Sequence, residues 1–557
     1  MTRFLLIIAL ILPIISNAQE WVKTYNGGGD WNDHALAITI DASNNVYITG
    51  YTYESGTTEQ SFTTVSYSAS GGQRWVQPFQ GEGINPDAIG NAVTVDNTFY
   101  YVYATGWRKI DGNIDMFTVK FHPDGDTLWT REYDGPYGGS DKGEAIAVDG
   151  SGNVYVAGFS GDSLGDHIAL IKYNSSGTQQ WVGRYDASML KGIAIDDVDN
   201  IYITGTVYTA PTHYDFVTIK YNPSGDTAWT RIYNSAGNNY DVPEAIAIDD
   251  NNDIYVAGRT SVQIDSISNV LVVKYNSLGT FQWQSEFDSP SQGEDRAVDV
   301  AASRFNGVYI TGRSSGFGSS NDILLIRYNT DGDTVWVRRY DGPSNLNDFG
   351  TCLAMHRPII GENICVGGYS MGVGTSYDYA VIKYSGVGTQ QWVARYDGDG
   401  SGWDEISDIS FDFNADIVVT GNSLGFSPTG SNYCTAKYLS TGPGVGENED
   451  YEVSDYKSSI EVSPNPFSNI TDIRWQPAPS SGARPGMIDN SFIEIKIYDI
   501  AGRVVKDFSG QLSVISDQSS VIWDGSDTND KKLPSGVYIV KVSAGNNTAT
   551  KQVLFIR

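Results

Sequence analysis

Three cysteines in 557 residues (Cys352, Cys365, Cys434) exclude a disulfide framework: the number is odd, at most one bridge can form, and a chain of this length does not need staples. Histidine is almost as scarce. The five (His34, His122, His167, His213, His356) are dispersed, no two stand at ligand spacing, and no His-Glu-x-x-His helix occurs, which argues against zinc. Lys and Arg number 36 against 66 Asp and Glu, and the resulting formal charge of −30 repels phosphate backbones and anionic headgroups. Nucleic acid is therefore not an expected partner. After the first 18 residues no apolar run approaches the ~20 residues that span a bilayer, so no transmembrane anchor is expected in the mature chain. Charged residues make up only 18%, while Tyr 35, Trp 13 and Gly 61 describe a chain of short strands and turns. An all-β class follows.

Residues 1–18 read as a signal peptide, with Arg3, the apolar stretch Phe4 to Ile15, and a small-residue cleavage site at Ser16-Asn17-Ala18. Past it, Trp21, Trp75, Trp129, Trp181, Trp229, Trp283, Trp336 and Trp392 stand 54, 54, 52, 48, 54, 53 and 56 residues apart, a period that marks a repeat architecture. The copy after Trp229 shows the grammar: Ala245-Ile-Ala-Ile-Asp249, an acidic turn, Ile254-Tyr-Val-Ala-Gly258, a loop, then Val270-Leu-Val-Val-Lys-Tyr275. Four antiparallel strands per copy is the pattern of a propeller blade, whose two faces only neighbouring blades can cover. The Trp21 strand has no hairpin before it, and the last copy ends at Lys437-Tyr438 without a Trp strand. Pairing those two ends removes both open edges and predicts eight blades over residues 19–440, seven being the alternative because two copies are irregular. Cys365 stands where other copies have Tyr47, Tyr103, Tyr155, Tyr202, Tyr255 and Tyr309, so it reads as a packing residue.

The hairpin Asp149-Gly-Ser-Gly-Asn153-Val-Tyr155-Val-Ala-Gly158 resembles the bacterial β-propeller repeat known as SBBP, and looser copies run through residues 21–440. The resemblance implies an extracellular propeller and no single activity. An acidic linker, 441–457, precedes a second β-rich segment, 458–557, expected to be an Ig-like β-sandwich. That segment resembles the type A sorting domain of the Bacteroidetes type IX (Por) secretion system, on Ser463-Pro464-Asn465-Pro466-Phe467, Tyr498-Asp499-Ile500-Ala501-Gly502-Arg503 and Leu533-Pro534-Ser535-Gly536-Val537-Tyr538. Pro464, Asn465, Pro466, Tyr498, Gly502, Gly536 and Tyr538 are the motif residues. The resemblance implies export through the outer membrane by the type IX machinery, cleavage of the domain, and display at the cell surface or release. An adhesive module that stays with the mature protein is the alternative.

Four Gly-x-Ser-x-Gly stretches, around Ser163, Ser314, Ser370 and Ser423, mimic a hydrolase nucleophile elbow. Their recurrence after the second strand, with no helix following, makes them loop residues. Asp196-Asp197-Val-Asp199-Asn200, Asp249 to Asp253 and Asp524 to Asp530 cluster oxygen ligands that suit calcium, but the same residue types build hairpin turns, and none completes an EF-hand. No catalytic residue and no cofactor are assigned. The expected function is a non-catalytic binding or structural propeller at the cell surface, its partner a glycan, protein or cell-envelope component. An extracellular hydrolase or lyase is the alternative.

Overall fold

The computed structural model describes residues 19–442, apart from 30, 55, 57, 84, 163–164, 210–212, 237–238, 262–266, 290, 292, 304–306, 317–319, 359–360, 399–401 and 425–429. It also describes 459–463, 471–476, 493–499, 503–508, 513–515, 518–528, 531–544 and 547–556. Two compact units result, 1–447 and 448–557. Among the described residues every regular element is a strand.

Among its described residues the first unit contains eight four-stranded antiparallel sheets. Seven use four consecutive strands. The eighth takes three from residues 404–438 and its fourth from Gln19–Tyr25, with Trp21 opposite Lys437 and Tyr25 opposite Tyr433. The first strand of each sheet lies against the first strands of the sheets before and after it, and Asp404–Phe411 of the last sheet lies against His34–Ile40 of the first. The sheets therefore follow one another in a closed cycle. Each hydrophobic cluster is shared by two successive sheets; Trp21, Val418 and Tyr433 of the last pack with Ile38, Ile48 and Val65 of the first.

The hairpin motif has a physical explanation in its acid. Asp149 Oδ1 accepts the N–H groups of Ser151 (3.0 Å) and Asn153 (2.8 Å), while Oδ2 accepts Asn153 Nδ2 (2.7 Å) and the Tyr155 hydroxyl (3.0 Å). One carboxylate thus shapes the turn and anchors a buried tyrosine. The turn needs a left-handed residue three after the acid, supplied by Gly152, Asn44, Asp199 and Asn252 in different copies. Where the acid is Ser303, Glu362 of the next sheet receives both Ser303 and Tyr309 instead.

Successive sheets are joined by their Trp residues. Each Trp ring lies on the turn glycine of the following sheet: Gly71, Gly125, Gly177, Gly225, Gly279, Gly332, Gly388 and Gly442 all have φ between +72° and +98°, and a Cβ on any of them would fall under 3.0 Å from that ring. Seven of the indole N–H groups donate to a carbonyl of the same turn, at 2.6–3.4 Å, from Trp21 to Ala69 at one end to Trp392 to Ser440 at the other. The ring is flanked by the second-strand Tyr of its own sheet and the third-strand aromatic of the next, as in Tyr103, Trp129 and Tyr173. Buried Cys365 fills the second-strand place next to Trp392.

In the second unit, two four-stranded sheets share one core around fully buried Trp523, with Ile473 from one sheet and Ile495, Val540 and Phe555 from the other.

Trp21→Ala should remove both the clasp on Gly71 and the packing of the strand that completes the last sheet. The expected loss is ~3–5 kcal/mol, with concentration-dependent aggregation from the loosened edge. Urea unfolding and light scattering check this, and a wild-type transition without aggregation would refute the role of this strand.

Candidate functional site

The turn acids considered for calcium have protein partners. Asp196 accepts from Val198 N, Asn200 N, Asn200 Nδ2 and the Tyr202 hydroxyl at 2.8–3.1 Å. Asp249 repeats this with Asn251, Asp253 and Tyr255. Asp524 binds Ser526 and, at 2.8 Å, Lys532; those contacts outweigh its burial and hold its carboxyl down at about 2.

The opposite end of the sheets carries a second set of acids. In six sheets an Asp at the head of the first strand accepts, on Oδ2, the N–H six residues earlier: Gly27 to Asp33, Gly135 to Asp141, Ser235 to Asp241, Ser289 to Asp295, Gly342 to Asp348 and Gly398 to Asp404, at 2.6–2.9 Å. Each ties an inter-sheet loop to the strand it enters. The serines of the elbow-like motifs belong to the same fastening. Ser314 donates to Asp295 and accepts from Arg339, Ser370 accepts from Arg395 at 2.5 Å, and Ser423 bonds Asp404. The expectation that they lie in loops is corrected for these three: they are buried within the second strands Gly307–Ser315, Asn363–Met371 and Ile417–Leu424, which extend past the glycine that seemed to end them. Ser163 lies outside the described residues.

Two more acids lie within first strands. Asp299 accepts the Leu353 N–H of the next sheet (2.7 Å), and Asp408 accepts the Ile38 N–H (2.9 Å). Burial pushes Asp299 up to about 6 and Asp408 up to about 7. Both therefore bridge sheets.

At the loop-fastened end, the junction of the seventh and eighth sheets carries a four-ring aromatic cluster. Phe349, Tyr369 and Tyr377 of the seventh sheet and Trp403, just before the eighth, make five ring contacts with centroids 4.9–6.1 Å apart. Trp403 is 50% exposed. Polar groups edge the cluster. Arg313 lies 5.4 Å over Phe349 and pairs with Glu294 at 2.5 Å, and Glu405 bonds Trp403, its carboxyl raised by burial. Burial, with Glu405 nearby, pushes the Tyr369 hydroxyl up to about 12. Across the eighth sheet, Trp31, 52% exposed, packs on Tyr53, and His34 stacks on Tyr51. Sequence reasoning missed these residues. The available signal was that Trp31 and Trp403 fall outside the Trp register.

In the second unit, Tyr498 pairs with Ile539, Gly536 with Phe555, and Tyr538 packs on Trp523 (5.4 Å) while its hydroxyl donates to Pro534 O (2.7 Å). Gly536 and Tyr538 line an open cleft of about 600 Å³ together with Asp499, Arg503, Pro534 and Ser535. Tyr498 lies outside that lining. Pro464, Asn465, Pro466 and Gly502 fall outside the described residues.

Residues 461–556 match the family of secretion system C-terminal sorting domains, and residues 228–264 match the β-propeller repeat family SBBP. The chain thus carries an SBBP propeller repeat and a type IX sorting domain, and is exported to the cell surface or secreted. An uncharacterized WD repeat-containing protein, L264 of Acanthamoeba polyphaga mimivirus, is 22% identical over 348 residues. The match takes in 50% of this chain and only 23% of that relative's length. Among solved structures, the Dos1 propeller superposes with a TM-score of 0.50 at 10% identity, covering 76% of this chain and 97% of that one, which shows a propeller fold. PorZ of Porphyromonas gingivalis, described as a surface component of the type IX secretion system, reaches a TM-score of 0.36 at 13% identity, over 93% of this chain and 59% of PorZ. No helix among the described residues is long and apolar enough to cross a membrane.

Burial also pushes Asp33, Asp322 and Asp404 up to about 6 and Asp348 up to about 7. A carboxyl with a raised folded pKa holds its proton more tightly folded than unfolded. Its stabilising contribution is full below about pH 4 and is lost as pH rises through 6 to 7. The melting temperature of the mature chain is therefore expected to rise as pH falls from 8 to 5.5. A flat or inverted profile across that window would contradict these environments.

Proposed function

We propose that this chain, with an SBBP repeat and a type IX sorting domain, is an exported, eight-bladed propeller that binds a glycan without catalysing a reaction, its sorting domain being an Ig-like β-sandwich. Eight four-stranded sheets in a closed cycle support the blade count, and two sheets around one core support the sandwich. The ligand reading is carried by the aromatic cluster of Phe349, Tyr369, Tyr377 and Trp403. A pyranose presents a face of C–H bonds rimmed by hydroxyls. The exposed Trp403 indole beside the half-buried rings of Tyr369 and Tyr377 offers an apolar face, and Arg313 and Glu405 at its border offer polar groups to the hydroxyls, a combination that suits a sugar better than a purely apolar partner.

The non-catalytic reading rests on the carboxylates beside the cluster. Asp404 is bound by Gly398 N and Leu424 N, and Glu405 by Trp403, so neither is free to pair as acid and base across a glycosidic bond. Partners of this kind fit a surface-displayed protein whose charge of −30 disfavours polyanions.

Glycan-array and affinity-gel binding of the mature chain, with the same glycans followed for depolymerisation, tests the reading. Trp403→Ala is expected to weaken binding about tenfold, ~1.4 kcal/mol, with an unchanged melting temperature. Equal binding by the variant would remove this cluster as the site, and product release by the wild type would establish a hydrolase or lyase instead. In the producing cell, deletion of residues 458–557 should leave the propeller unexported; its normal appearance at the surface would overturn the sorting role.

A further inference from the structure

The aromatic residues of the loop-fastened end are not confined to the cluster around Trp403. On the far side of the eighth sheet, Trp31 packs on Tyr53 with ring centroids 6.1 Å apart, Tyr53 meets Tyr51 at 6.2 Å, and Tyr51 stacks on His34 at 5.0 Å. Trp31 is as exposed as Trp403, while Tyr51 and Tyr53, like Tyr369 and Tyr377, are half-buried. Each set therefore shows one exposed indole backed by partly buried rings.

The two tryptophans flank the same end of the eighth sheet. The Leu424 N–H donates to Trp403 O (3.3 Å), Leu424 pairs with Ser431 on the neighbouring strand, and the Asp33 N–H donates to Ser431 O (2.7 Å). Asn32 Oδ1 also accepts the Ser431 N–H (2.9 Å). Three hydrogen-bonded steps of about 5 Å each thus separate the backbone segments that carry Trp403 and Trp31, on the order of 15 Å in all. The residues between the two sets are polar. Glu405, which bonds Trp403 and lies near Tyr369, pairs across the first two strands with Asn422. Asn422 Nδ2 is 2.6 Å from His34 Nδ1, and its Oδ1 accepts the Ala35 N–H (3.1 Å). Tyr369 of the seventh sheet, Glu405 and Asn422 of the eighth and His34 of the first therefore follow one another around the cycle.

A single pyranose is far shorter than the separation of the two indoles and cannot cover both. An extended sugar chain can place a C–H face on each tryptophan and its hydroxyls along the polar residues between them. Building on the glycan reading of the Trp403 cluster, we propose that the two aromatic sets, joined through Glu405, Asn422 and His34, form one binding face for an oligosaccharide chain of several sugars, with Trp31 as its second platform. Once one platform is engaged the second contact becomes intramolecular, so affinity climbs with chain length. The partly buried rings behind each indole reduce the ordering cost of both contacts.

The test is calorimetric titration of the full mature chain with cello-, xylo-, manno- and chito-oligosaccharides of two to six sugars. For the sugar type that binds, the hexasaccharide is expected to bind at least tenfold more tightly than the disaccharide. Trp31→Ala should cancel most of that advantage with an unchanged melting temperature, and Trp31→Phe, which keeps a flat ring, should restore most of it. Tyr208→Ala, at an exposed tyrosine that packs on Tyr214 in the fourth sheet, should leave the length dependence intact. Equal affinity for all lengths, a full length dependence in Trp31→Ala, or equal losses in Trp31→Ala and Tyr208→Ala overturns the extended face. If disaccharide binding is then still weakened by Trp403→Ala, the glycan reading of the Trp403 cluster stands without it; absence of sugar binding by the wild type removes both.

Discussion

The first unit depends on one repeated contact, a tryptophan at the end of one sheet closing over the turn glycine of the next. The contact requires a residue with a large flat face and one polar edge on one sheet, and on the other a turn whose left-handed glycine brings its backbone within van der Waals reach. Because the clasp always points from one sheet to the following sheet, it is directional. The last sheet must then find the first, and Trp21 on Gly71 supplies that contact. Lys437 strengthens the same closure by bridging Glu20 of the N-terminal strand to Asp412 and Asp416 of the last sheet.

The carboxylates follow from this architecture. Sheets packed face to face bury the ends of their first strands, and the loops entering those strands bring N–H groups that need acceptors. A buried Asp at six of these entries satisfies them but loses its own hydration, which accounts for the raised pKa of Asp33, Asp348 and Asp404. The proposed ligand site and these fastenings consequently share one end of the unit. Loops fastened tightly by Asp and Ser hold exposed Trp31 and Trp403 in place, which limits the ordering cost of binding a ligand.

Particular residues show where sequence reading succeeded and where it stopped. The strand content and the role of Cys365 as a filler in a tyrosine position were legible because each depends on a residue type recurring at a fixed place. Ser314, Ser370 and Ser423 were misplaced because a glycine inside a strand looks like its end; Gly312, Gly368 and Gly421 are there because a Cβ would strike the carbonyl across the bulged first strand. The aromatic cluster was not legible, since Phe349, Tyr369, Tyr377 and Trp403 are separated along the chain and become neighbours only where two sheets meet.

What the sequence by itself determined is what periodicity and local chemistry encode: an all-β repeat array with unfilled strands at its two ends, acidic hairpin turns, and a different β-rich domain behind it carrying its own motifs. Only tertiary structure decided which acids act within their own turn and which reach another sheet. Asp149 takes four donors from its own hairpin turn, whereas Asp408 accepts the Ile38 N–H of a different sheet. The physical reason is that a carboxylate's state depends on the groups brought within hydrogen-bonding reach. For Asp149 those groups lie within six residues along the chain, and for Asp408 they include a strand at the other end of the repeat array.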